Sequence, residues 1–302
     1  MMEEMITEKR NPASEKLDTM NVSEMVELMI QEDATVSKAI QEQLPKITSL
    51  IEAVVERLNR GGRLFYIGAG TSGRLGILDA VECVPTFGTS PELVQGIIAG
   101  GHKAIKIAVE GAEDSLDLAV EDLKERKLTE DDIVIGIAAS GRTPYVIGGL
   151  KYATKIGAQT GSISNNPNAP LSKLVKFPIE VVTGPEVLTG STRLKAGTAQ
   201  KQVLNMISTV AMVKLGKVYG NLMVDVQATN EKLIERSKLI IMEATGVEYE
   251  KAADYYESSE NSVKLAIIRI LSCTTLEEAK KILVQKNGRV REAVNSINIK
   301  IV

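Results

Sequence analysis

Leu64-Phe65-Tyr66-Ile67-Gly68-Ala69-Gly70-Thr71-Ser72-Gly73-Arg74 is the stretch that decides the fold. A short apolar run passes into a loop of glycine, serine and threonine, and a helical pattern follows. This is how a βα unit of a parallel sheet reads in sequence. Comparable apolar runs recur at Leu93 to Ile98, Ile133 to Ala138, Thr160 to Ser164 and Phe177 to Val182. Strands alternating with helices predict an α/β fold, a doubly wound five-stranded parallel sheet in an αβα sandwich. In that architecture ligands bind at the carboxyl ends of the strands, near a topological switch point, where the loops after the first and third runs lie.

Outward from this core, Met25, Leu28, Met29, Val36 and Ile40, then Ile47, Ile51, Val54, Val55 and Leu58, recur at helical spacing. Two amphipathic helices with core-facing stripes are expected, the first stopped near Pro45 and the second ended by Gly61 and Gly62. The pattern from Lys195 to Leu215 is too apolar for a solvated helix, so it belongs in the core or at a subunit contact, and a homodimer is expected. Beyond Gly246, breaks at Ser258 to Asn261, Thr274-Thr275 and Asn287-Gly288 suggest a small bundle of three helices. The expected organisation is an N-terminal helical segment over 1–60, a central domain over 61–240 and a helical C-terminal domain over 241–302.

Composition narrows the functional classes. The 302 residues carry a net charge of −3 with dispersed basic residues, which argues against a nucleic-acid partner. No helix-turn-helix with a basic recognition face is apparent. Cys83 and Cys273 stand far apart without partners at metal spacing, so neither a disulfide framework nor a zinc site is expected, and a reducing cytosol fits. No stretch reaches the roughly 18 apolar residues of a membrane span, and Met1 to Pro12 lacks the apolar centre of a signal peptide. The sole histidine, His102, follows two glycines, and a surface turn is its plain reading.

The first loop can converge backbone amides and hydroxyls on an anion at a helix N-terminus. Its G-x-G-x-x-G match does not indicate a dinucleotide, because Glu92 stands at the start of the second strand where an acid at its end is wanted. Ser140-Gly141-Arg142-Thr143-Pro144 occupies the equivalent place after the third run, and two such loops can clasp one phosphate. Capping of helices is the alternative role for the serines and threonines. Lys195 opens the long apolar helix, where a cation opposes the dipole unless an anion compensates. It is therefore a candidate ligand for phosphate or sugar, and Arg193 a structural residue.

Three longer tracts, Gly68 to Gly88, Glu110 to Ser115 (EGAEDS) and Gly184 to Lys201, resemble the signatures of the N-acetylmuramic acid 6-phosphate etherase family within the sugar isomerase (SIS) fold. The likeness runs from Thr7-Glu8-Lys9-Arg10-Asn11-Pro12 to the helical C-terminus. It implies cleavage of the D-lactyl ether of N-acetylmuramic acid 6-phosphate, with water as second substrate, to N-acetylglucosamine 6-phosphate and D-lactate. Binding sites implied for the substrate are Gly70, Thr71, Ser72 and Gly73 in one loop, Ser140, Gly141 and Thr143 in the other, and Lys195. The family's catalytic glutamates map onto Glu82 and Glu113. Elimination from C3 needs a base for the C2 proton and an acid for the departing oxygen, and an open-chain aldehyde at C1 acidifies that proton, so neither metal nor organic cofactor is required. Val81, Cys83, Val84 and Pro85 around Glu82 suggest an apolar setting suited to a proton donor, and the polar turn at Glu113 suits a base, without fixing the assignment. Cys83 is expected to pack, since no histidine stands near it in sequence to activate it. Aldose–ketose isomerisation, which shares the C2 proton abstraction but keeps the C3 substituent, remains an alternative. So does a phosphosugar-binding regulatory protein, as the glucokinase regulatory protein of vertebrates is a related, larger SIS protein.

Overall fold

The structure is a computed structural model, and it describes residues 5–298 except 108, 110, 227 and 229. It divides into two compact units, one formed by residues up to 81 with 91–208, the other by 82–90 with 209 onward.

In the first unit, α1 (Val22–Asp33), α2 (Val36–Gln41) and α3 (Leu44–Asn59) precede the sheet. Then follow β1 (Leu64–Gly68), α4 (Gly70–Phe87, in this unit as far as Val81), β2 (Val94–Ile98), α5 (Lys103–Lys106), α6 (Leu118–Glu125), β3 (Ile133–Ile137), α7 (Pro144–Ile156), β4 (Gln159–Ser164), β5 (Phe177–Glu180) and α8 (Lys195–Lys214, in this unit as far as Ser208). The strands pair in parallel in the order β2-β1-β3-β4-β5. The doubly wound five-stranded sheet is thus present. Every residue of β1 and β3 is buried, as strands covered on both faces must be. Phe65, Ile67 and Val134 join Tyr145, Val146 and Leu150 of α7 and Leu123 of α6 in one core cluster.

The N-terminal helices differ from expectation. Pro45 lies in the first turn of α3, where its missing N–H costs nothing, and the chain before it forms two helices separated at Ala34 and Thr35. Nor does α1 bury a core face: none of its residues is buried, and Val22, Val26, Met29 and Ile30 stand exposed as one stripe.

The second unit contains the two-residue strands β6 (Val218–Tyr219) and β7 (Leu222–Met223), paired antiparallel, then α9 (Glu231–Thr245), α10 (Tyr249–Glu257), α11 (Val263–Ser272), α12 (Leu276–Gln285) and α13 (Val290–Asn298). Among the described residues beyond Gly246 there are four helices rather than three, because the three breaks separate four segments, and α9 shares their core through Ile240 and Ile241. The chain passes between the two units within α4, after Val81, again after Ser90, and within α8, after Ser208.

At the amino end of the sheet, Asp132 is 1 % exposed. Its carboxylate accepts from Arg63 Nη2 at 2.8 Å and Nε at 3.1 Å, from the Arg63 amide at 2.9 Å and from the Thr129 amide at 2.8 Å. Burial pushes its pKa up, but the Arg63 guanidinium and the two amides outweigh burial and hold it below the usual carboxylate value. A lowered folded-state value means stability that is present above the unfolded value of about 3.9 and is lost as pH falls through the folded one. Asp132→Asn is therefore expected to destabilise the protein by about 2–3 kcal/mol near neutral pH, with the gap to wild type closing below about pH 4. Urea midpoints measured across pH check this, and a gap that does not change with pH would contradict it.

Candidate active site at the carboxyl ends of β1 and β3

β1 and β3 are neighbours, and Gly68 lies beside Ile137 at their carboxyl ends. The connection from β1 leads to β2 on one side and the chain continues through β3 and β4 on the other, so this is the switch point at which a crevice opens. The loop after β1 enters α4 at once. A Cβ at Gly73 would meet the Gly68 carbonyl oxygen at 2.7 Å and Ile98 Cγ1 at 2.6 Å, so only glycine lets the helix start so close to the strand. The first N–H groups of α4, from Gly70, Thr71 and Ser72, have no acceptor within the helix and present a positive end.

Ser72 is buried, and its hydroxyl donates to Gln200 Oε1 at 2.8 Å. Gln200 Nε2 donates to Asn165 Oδ1 at 2.9 Å, and Asn165 Nδ2 to the Val181 carbonyl at 3.0 Å. The Ser72 hydrogen is thereby turned towards α8, leaving backbone amides and the half-buried Thr71 for an anion. In the second loop, Gly141 is buried, Ser140 Oγ accepts from the Arg142 amide at 3.2 Å, and Thr143 caps α7 by position only, its side chain making no capping bond. Helix capping therefore does not account for Thr143.

A cleft of about 200 Å³ is lined by Gly70, Arg74, Ala99, Ala104, Val109 and Glu113, among others. The first loop and Glu113 are thus brought together. Glu113 is exposed on its turn, and its carbonyl accepts from the Tyr145 amide at 2.9 Å, which ties the turn to the first turn of α7. Glu110, which opens the EGAEDS tract, lies outside the described residues. Ser140 and Arg142 line a separate hollow of about 240 Å³ with Asn166 and Ala169.

Two expectations need correction. Glu82 does not sit in an apolar setting: successive helical residues point about 100° apart, so Cys83 turns inward while Val81, Glu82 and Pro85 are exposed. Lys195 is 4 % exposed and pairs with the Glu32 carboxylate, so its charge is already met within the protein. The Lys195 and Ala196 amides donate to the buried Glu186 carboxylate at 2.9 and 3.0 Å, and these carboxylates are the anions that the start of α8 requires. Burial raises the pKa of Glu186, with the two amides opposing it. Arg193 and His102 are both exposed, His102 at the start of α5.

Several residues were missed from sequence. Asn166 accepts from the Thr7 amide at 3.3 Å and donates to Thr7 Oγ1 at 2.9 Å and to the Ala139 carbonyl at 3.0 Å, and Asn11 donates to the Pro185 carbonyl at 3.2 Å. The tract from Thr7 to Pro12 is thus fastened to the chain flanking the second loop and to the segment leading to α8. It has no helical or strand period, so only its place among the quoted tracts marked it. Among the described residues, no three His, Cys, Asp or Glu side chains come together as a metal-ligand set, and no helix is long and apolar enough to cross a membrane.

A doubly wound parallel sheet whose switch point carries a glycine- and hydroxyl-rich loop at a helix N-terminus defines an α/β protein of the class that binds ligands at the carboxyl ends of its strands. Residues 107–209 match the SIS domain family, and residues 46–154 match the glucokinase regulatory protein N-terminal SIS domain. Over 294 residues the chain is 61 % identical to N-acetylmuramic acid 6-phosphate etherase of Exiguobacterium sp., spanning 97 % of this chain and 100 % of that protein. N-acetylmuramic acid 6-phosphate etherase 2 of Enterococcus faecalis is 57 % identical over 97 % of this chain and 99 % of its own length, and the Bacillus anthracis etherase 60 % identical over 97 % and 100 %. The chain belongs to the N-acetylmuramic acid 6-phosphate etherase family.

Proposed function

We propose that this protein is a carbon–oxygen lyase that cleaves the D-lactyl ether of N-acetylmuramic acid 6-phosphate to N-acetylglucosamine 6-phosphate and D-lactate, in the breakdown of cell-wall amino sugar. The observation that carries the reading is the identity to named etherases along essentially the whole chain. The cleft supports it chemically, because a carboxylate faces a helix N-terminus able to hold phosphate. With the sugar open at C1, Glu113 takes the C2 proton and Glu82 gives a proton to the oxygen leaving C3. Water then adds at C3 of the unsaturated aldehyde, and C2 takes up a proton that has exchanged with solvent on the base. Phosphate is held by Gly70 to Gly73 and by Ser140, Gly141 and Thr143, and Lys195 orders the entry to α8 through Glu32.

The chain is also proposed to act as a homodimer in the cytosol. Support for the dimer comes from the exposed apolar stripe of α1, of the kind subunit contacts cover. Support for a reducing compartment comes from Cys273, an exposed thiol outside any disulfide.

Incubating the protein with N-acetylmuramic acid 6-phosphate in deuterated water tests the reaction. D-Lactate and a phosphosugar carrying deuterium at C2 are expected in equal amounts. Binding of the phosphosugar without lactate would overturn the etherase reading in favour of a regulatory one, and a ketose product retaining the lactyl group would favour an isomerase.

A further inference from the structure

Within the cleft that holds Glu113, the lining side chain of opposite charge is Arg74, one turn into α4. Its guanidinium is fixed: Nε donates to the Ile105 carbonyl at 2.9 Å and Nη2 to the Ala104 carbonyl at 2.8 Å. Both acceptors are neutral, and among the described residues no carboxylate forms an ion pair with Arg74. A half-buried cation is thus held in one orientation, with no carboxylate of the described residues paired to it. The outer edge, Nη1 with the second hydrogen of Nη2, remains as a fork of the kind that takes a carboxylate with two parallel hydrogen bonds.

Resting on the etherase reading, we propose that Arg74 binds the carboxylate of the lactyl group and so selects the ether over the unsubstituted sugar. The substrate carries two anions. Its phosphate, at C6, suits loops of uncharged amides and hydroxyls at a helix N-terminus. The lactyl carboxylate hangs from C3, next to the C2 carbon that Glu113 deprotonates, so the cation that reads it must share the cleft of the base, and Arg74 does. Pairing there also orients the leaving group without taking part in proton transfer, which makes Arg74 a specificity-determining residue.

The test compares wild type, Arg74→Gln and Arg74→Lys on the natural lactyl ether and on its neutral carboxamide analogue, together with inhibition by D-lactate and by N-acetylglucosamine 6-phosphate. Wild type is expected to prefer the carboxylate by about 10²-fold in kcat/KM, the discrimination a bidentate ion pair supplies. Arg74→Gln is expected to lose that preference and the inhibition by D-lactate, while inhibition by the phosphosugar stays within about 3-fold of wild type, since a residue that never meets the phosphate contributes little to binding a ligand without the lactyl group. Arg74→Lys, which keeps the charge but not the fork, falls between them, and it carries the comparison if the glutamine variant does not fold. A preference that survives in both variants, or equal loss of inhibition by the two products, would overturn the proposal and assign Arg74 to phosphate or to holding α5. Absence of lactate release by wild type would instead sink the etherase reading itself.

Discussion

Glu113→Gln is expected to slow lactate release by about 10³-fold, in the range a positioned general base contributes. The amide has the shape of the carboxylate and cannot accept the C2 proton, so KM should change by no more than a few-fold while kcat collapses. Glu82→Gln is expected to fall comparably, yet the two variants should differ in a second measurement. A base variant loses exchange of the C2 proton with deuterated water, whereas an acid variant still exchanges it and stalls at departure of the C3 oxygen. The expected result is exchange in Glu82→Gln and none in Glu113→Gln. The reverse pattern would exchange the two roles, and near-normal lactate release by Glu113→Gln would remove it from the chemistry. The position of Glu82 on an exposed helix surface makes this separation worth more than any inference from its neighbours. Its apolar flanks are adjacent in sequence but not on one helical face.

That distinction marks where sequence was legible. β1 and β3 were readable because each is a compact apolar run, short enough for a strand and bounded by turn residues, as strands buried on both faces are; β4, Gln159–Ser164, carries Ile163 as its one large apolar residue and was legible only as the next unit of the repeat. The loops after β1 and β3 were readable as loops for a related reason: glycine and hydroxyl residues between an apolar run and a helical pattern mark the turn of a βα unit. Lys195 failed the same logic in an instructive way. Sequence showed that a cation at the start of α8 needed an anion, and the need was real, but Glu32 and Glu186 meet it from elsewhere in the chain. Only the fold could show which anion answered. Arg74 stood inside the quoted motif, yet nothing local announces that its donors reach the carbonyls of α5, some thirty residues later. The fastening of Thr7 by Asn166 has still less local signal, since its partners are 159 residues apart.

Gly148→Ala is expected to lower kcat by about 10²-fold, although Gly148 contributes no side chain to the cleft. Gly148 lies on α7, where a Cβ would meet the Leu116 carbonyl oxygen at 1.9 Å and its carbonyl carbon at 2.7 Å. Those atoms are backbone, so they cannot swing aside, and the segment from Glu113 to Leu118 must move off the helix by roughly an ångström to restore ordinary contact. The start of this segment is anchored by the Tyr145 amide on the Glu113 carbonyl, and α6, which follows it, by the Tyr145 hydroxyl, which donates to Asp122 Oδ2 at 2.5 Å. Both ties lie within one turn of Gly148, so the displacement cannot be absorbed without carrying Glu113 along. Misplacing a catalytic group by about 1 Å costs on the order of 10²-fold in rate. Overpacking is expected to cost about 1–3 kcal/mol of stability as well. The readout that separates misplacement from general weakening is the ratio of effects: kcat and C2 exchange should drop together at a temperature where the variant is fully folded, while inhibition by N-acetylglucosamine 6-phosphate, which the proposed function assigns to the two loops, stays near wild type. A variant that melts earlier yet turns over normally when folded would show that the Glu113 turn is not positioned by α7.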